Sequence, residues 1–136
     1  MEKKKEARNK IPPSIPKGDI HFEIDFYEKL LKKDPDLIEA LEALAHDYTQ
    51  AGRFIEGLKL DRQIVKLMPN QPTARYNLAC SLSLTDHIAE AGETLIKAIE
   101  LGYVDLEYIE KDPDLTKLRN DPIYESIKQK LLKHPA

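Results

Sequence analysis

The chain has 136 residues, the size of one domain, with 41% hydrophobic and 33% charged residues. Five glycines and no tryptophan speak against a strand-rich sandwich with its many tight turns. The net charge of −3 gives no argument for nucleic acid. No apolar run approaches the roughly 20 residues that span a bilayer.

A single cysteine, Cys80, excludes an internal disulfide framework and fits a reducing compartment. Lys3, Lys4 and Lys5 have no apolar stretch behind them, so the N-terminus does not read as a secretory signal and a cytoplasmic protein is expected. Residues 1–18 hold six Lys/Arg and two Glu, a net +4 that leaves −7 on the rest. Pro12, Pro13, Pro16 and Gly18 prevent a helix there, and residues 1–18 read as a flexible basic arm. A solvated tail is the simpler reading; contact with a phosphate backbone is the rival.

From residue 19 the pattern is helical. Ile20, Ile24, Tyr27 and Leu31 recur at steps of four, three and four, although Ile20, Phe22, Ile24 and Phe26 also alternate as a strand would. Tyr27, Leu30 and Leu31 extend only the helical reading, which predicts a helix over about 20–33. After Asp34-Pro35, Asp36 and Glu39 suggest a capping box for a helix over about 37–50, carried by Leu37, Leu41, Leu44, Ala45 and Tyr48. Gly52 marks a turn, and Phe54, Leu58, Ile64, Val65 and Leu67 predict a helix over about 54–67. Pro69 to Pro72 break the chain again, and Leu78, Ala79 and Leu82 predict a helix over about 72–84. Ile88, Ala91, Leu95, Ala98 and Ile99 predict another over about 87–101, closed by Gly102.

These elements repeat every 34 residues: Pro35 returns as Pro69, Leu44-Ala45 as Leu78-Ala79, Phe54 as Ile88. Leu30-Leu31 returns as Ile64-Val65 and then Ala98-Ile99, and Ile20 falls in register with Phe54 and Ile88. That last match favours helix for the ambiguous first segment. The period, with Leu41, Leu44, Ala45, Tyr48, Gly52, Phe54, Ile64 and Pro69 in one unit, resembles the tetratricopeptide-repeat (TPR) family. Leu78, Ala79, Leu82, Ile88, Ala91 and Ala98 carry the resemblance into a second unit. There are departures: Gly57 stands where the family prefers alanine, Asp61 replaces an aromatic, Asp86 the turn glycine and Tyr103 the proline. Lys111 to Leu115, Leu118-Arg119 and Asp121 to Tyr124 resemble the tail that follows the last repeat in small bacterial TPR proteins.

The resemblance implies an all-α, right-handed TPR-type helical solenoid. A half repeat at 20–35 would precede repeats at 37–70 and 71–104 and a helical cap at 105–134, together one domain over 19–136. It also implies a protein–protein interaction module, not an enzyme, whose concave groove binds a peptide or partner protein. On that groove the expected partner-binding residues are Glu39, Glu42, His46, Thr73, Tyr76, Asn77 and Cys80, with Tyr76 offering a stacking face and Asn77 an amide. Clamping of an acidic C-terminus, as some TPR proteins do with chaperones, is rejected: Glu42 and His46 stand where cations or amides are needed. The rival reading is an oligomerisation unit self-associating through helix 20–33, by Phe22, Phe26 and Leu30.

His46 and Cys80 fall in matching repeat columns, but a Cys–His nucleophile also needs an orienting group and an oxyanion hole. His21, His46, His87 and His134 with one cysteine supply no zinc-ligand spacing, and no glycine-rich phosphate loop occurs. No catalytic, cofactor-binding or metal residue is expected. The Asp-Pro pairs read as helix starts.

Overall fold

Asp19 accepts a hydrogen bond from the Phe22 amide at 3.0 Å and so starts α1 (Ile20–Lys33), the first helix among the described residues. The computed structural model describes residues 19–133; the expected basic arm, 1–18, and His134 lie outside the described residues. After α1 come α2 (Ile38–Gln50), α3 (Phe54–Leu67), α4 (Pro72–Leu84) and α5 (Ile88–Glu100). The C-terminal part holds α6 (Leu106–Lys111), a single 3-10 turn (Pro113–Leu115), α7 (Thr116–Arg119) and α8 (Tyr124–Lys133). Among the described residues the fold is all-helical, without a strand, and none of its helices is long and apolar enough to cross a membrane. The alternating segment at 20–26 is helix: Ile24 and Tyr27 turn to the core, whereas Phe22 is 47% exposed.

Successive helices pack on one another in chain order, α1 on α2, α2 on α3, α3 on α4 and α4 on α5. Their starts recur at 34-residue steps: Ile20, Phe54 and Ile88 open α1, α3 and α5, and Ile38, Pro72 and Leu106 open α2, α4 and α6. The turns recur as well. The Arg53 amide donates to Tyr48 O at 2.8 Å, His87 to Leu82 O at 2.8 Å and Tyr103 to Ala98 O at 2.9 Å. Each is the long bond of a C-terminal cap that places one residue at positive φ: Gly52 at 79°, Asp86 at 66°, Gly102 at 117°.

Small residues let the helices approach. Ala45, Ala79, Ala91 and Ala98 are all fully buried. A Cβ on Gly57 would lie 3.2 Å from Thr49 Oγ1, so α2 and α3 meet there almost backbone to side chain. The expected capping box at Asp36 does not form. Leu37 is the N-cap of α2, and Asp36 instead accepts from Gln63 Nε2 at 3.1 Å, tying the α1–α2 turn to α3.

From Tyr103 the chain folds back over α4, through contacts of the 3-10 turn and α7. Ile109, Leu115 and Leu118 are wholly buried. Each such side chain contributes about 1.5–3 kcal/mol relative to exposure. The Leu118 amide donates to Ser83 Oγ at 3.2 Å, and Arg119 Nη1 donates to Ile109 O at 2.9 Å and Asp112 O at 2.7 Å, which braces the segment from within. α8 lies on α5, where Gly92 makes room for Ile123 and Ile127.

Candidate partner-binding face

The expected groove residues belong to two helices, α2 and α4, that share a register 34 residues apart. On α2, Glu39 is exposed and Glu42 and His46 are half-buried. On α4, Thr73 at the first turn is half-buried, beside an open cleft lined also by Pro72, Gly102, Tyr103 and Asp105. These four can be reached from solvent. The other three cannot: Tyr76 is 0% exposed, Cys80 2% and Asn77 7%.

The folded-back segment explains the difference. The Tyr76 ring stacks on Tyr103, with centroids 4.2 Å apart and 12° between planes, and Tyr108 leans on it at 6.4 Å. The Tyr76 hydroxyl donates to Asp112 Oδ2 at 2.8 Å, and the Cys80 thiol approaches the same oxygen at 3.7 Å. Burial first, then neighbouring Cys80 and Asp112, hold the Tyr76 hydroxyl far above the usual phenol range, so it stays a donor. The expectation that Tyr76 and Cys80 present themselves to a partner is therefore corrected: residues 103–115 already occupy that side of α4. Asn77 is enclosed too, and its Oδ1 has no hydrogen-bond partner among the described residues.

Ligand atoms of Cys80, Asp112 and Asp114 lie within 4.8 Å of one another, close enough for a cation. Asp112 is already committed, however. Its Oδ2 accepts from Tyr76 and Cys80, and its Oδ1 accepts from the Asp114 amide at 3.0 Å, which starts the 3-10 turn. Folding accounts for this carboxylate without a metal.

Of the residues suggested for self-association, Phe22 is exposed, whereas Phe26 and Leu30 are half-buried against the α1–α2 core. The Phe26 ring meets Tyr27 edge-on at 5.2 Å.

Sequence reasoning missed a set of buried acids. Asp61 on α3 is 1% exposed and accepts a short hydrogen bond from Ser81 Oγ on α4. Glu23 on α1 and Asp47 on α2 are each 3% exposed. The Asp47 carboxyl is pushed up to about 7, by burial first and then by the hydrogen bond and charge of Glu23. A signal existed. In the 34-residue register Glu23 aligns with Gly57 and Ala91, and Asp47 with Ser81, so each acid stands in a column of small residues.

No protein-family model matches the chain. It is 26% identical over 116 residues, 80% of its length, to a chloroplastic protein of Arabidopsis thaliana. The chain spans about a third, 33%, of the length of that relative.

Proposed function

We propose that the chain is a TPR-type right-handed solenoid that docks a protein or peptide and performs no catalysis. The observation that carries this reading is the recurrence, at 34-residue steps, of helix starts together with the long turn bonds at Arg53, His87 and Tyr103. Such a stack exposes one helix of each pair along a continuous face, which suits an extended or helical segment. The reachable part of that face is Glu39, Glu42, His46 and Thr73. Two carboxylates there favour a partner segment bearing Lys or Arg. A reducing compartment suits a chain with a single cysteine, Cys80, and the cytoplasm is the location we propose.

The test is affinity capture from the native cell with wild type and Glu42→Lys. Tyr76→Ala is unsuited as a groove probe, because it removes a core ring. Partners retained by wild type and lost with Glu42→Lys support the reading. An identical partner set refutes it.

Self-association through α1 is the second reading, favoured by the exposed ring of Phe22. Light scattering over a concentration series decides it, since a concentration-independent monomer removes the idea.

A further inference from the structure

Among the described residues α1 is the first helix of the stack, and α2 is its chief neighbour. Their seam is apolar, built from Ile24, Tyr27, Ala40, Ala43, Leu44 and Tyr48. Yet two carboxyls are buried within it, Glu23 from α1 and Asp47 from α2, each 3% exposed. Among the described residues, no cation pairs with either. Asp47 Oδ2 and the Tyr27 hydroxyl beside them have no hydrogen-bond partner there.

One repeat along, the register places Asp61 where α1 has Tyr27, and Ser81 where α2 has Asp47. At that second seam a hydroxyl donates to the buried acid. At the first seam an acid stands in the serine's place, facing another acid. Two ionised carboxylates so buried repel strongly and lose their hydration, whereas a single shared proton supplies the missing donor.

We propose that the Glu23–Asp47 pair is a proton-operated latch, in which one proton shared between the carboxyls holds α1 on α2 and its loss releases the helix. Among the described residues, the other charged groups at this seam are committed elsewhere. Glu28 accepts from the Tyr48 hydroxyl at 2.5 Å, and Arg53 stands 3.8 Å from Glu28, 4.6 Å above the Tyr48 ring and paired with Glu56 at 2.6 Å. From α3, Asp61 is held by Ser81. Release of α1 uncovers the flank of α2 formed by Ala40, Ala43, Leu44 and Tyr48, a new apolar face on that helix.

The direction in pH follows from the raised carboxyl. The docked state binds a proton that the released state has already lost. Latching is therefore complete below the ordinary carboxylate range and weakens as pH rises towards 7. Between those limits the released fraction grows by up to about tenfold per pH unit, and above them it levels off.

Hydrogen–deuterium exchange of the full chain at pH 5 and pH 7, corrected for intrinsic rates, reads this directly. In wild type, protection of residues 20–33 falls at least tenfold from pH 5 to 7, while protection of α4 and α5 stays level. In Asp47→Asn, which keeps the shape and supplies a permanent donor, α1 stays protected at both values. Should that variant fold poorly, Glu23→Gln gives the same reading from the other side of the seam. A wild-type α1 whose protection ignores pH, or a loss of equal size in wild type and in a folded neutral variant, overturns the latch.

Discussion

The rings of Tyr76 and Tyr103 lie nearly parallel with centroids 4.2 Å apart, so a residue of α4 and one three residues past the end of α5 form one stacked pair in the core. Tyr76 adds a hydroxyl bond to Asp112 at 2.8 Å. Tyr76→Phe keeps the stack and removes that donor from a buried carboxyl, with an expected loss of about 1–3 kcal/mol. Tyr103→Ala opens a cavity under Tyr76 and is expected to cost about 3–5 kcal/mol. Urea unfolding of both variants checks the order. A Tyr76→Phe protein as stable as wild type shows that the bond contributes nothing.

Ser81 supplies a donor to the buried Asp61. Ser81→Ala deletes that hydroxyl while leaving the helix-forming character of α4 intact, and the expected loss is about 1–3 kcal/mol. Asp61→Asn in the Ser81→Ala background removes the charge as well and is expected to recover part of it. A double-mutant cycle by thermal melting measures the coupling.

Gly52 and Asp86 hold the same turn in successive units, with φ of 79° and 66°. Gly52→Ala puts a side chain into the left-handed region and is expected to cost about 1–2 kcal/mol. Asp86→Gly relieves that strain but loosens the unfolded chain and removes the exposed pair with Lys117 at 2.8 Å. These effects offset one another, and the expected change is under about 1 kcal/mol. Denaturant midpoints of the two variants discriminate the turns.

Arg62 of α3 and Glu90 of α5 form a bidentate pair at 2.7 and 3.0 Å, with both side chains 43% exposed. Solvent screens it, so Arg62→Ala is expected to cost less than about 1 kcal/mol, and less again in high salt. The hydrogen bond from Arg62 holds the Glu90 carboxyl below its usual range. Its contribution is therefore present at neutral pH and fades as pH falls through the carboxylate range. Melts at neutral and acid pH, with and without added salt, test both statements.

Helix positions from 20 to 100 were legible because apolar spacing and 34-residue self-similarity agree there. Register decided Ile20, where local alternation pointed to a strand. The face of α4 was only half legible. Periodicity put Tyr76, Asn77 and Cys80 on one side of a helix, and that side is the one the segment after Tyr103 covers. Contact between residues 76 and 112 depends on how the chain returns, which no local pattern encodes. The clue was Tyr103 itself, a large ring where the family resemblance led one to expect proline. Asp36 failed for a similar reason, because Gln63 on a neighbouring helix competes for its carboxylate. The acids of the first seam stand in small-residue columns, but it is the packing of α1 on α2 that brings Glu23 and Asp47 together.

The rhythm of the chain does not fade after α5; it is interrupted. Leu106 opens α6 where a third unit would begin its first coil, and after Lys111 the backbone turns away at Pro113, which has no amide hydrogen to continue the ladder. The same stretch then plugs the flank of α4. On this side, another helix could reach α4 only by displacing that segment, and the same displacement would bare Tyr76.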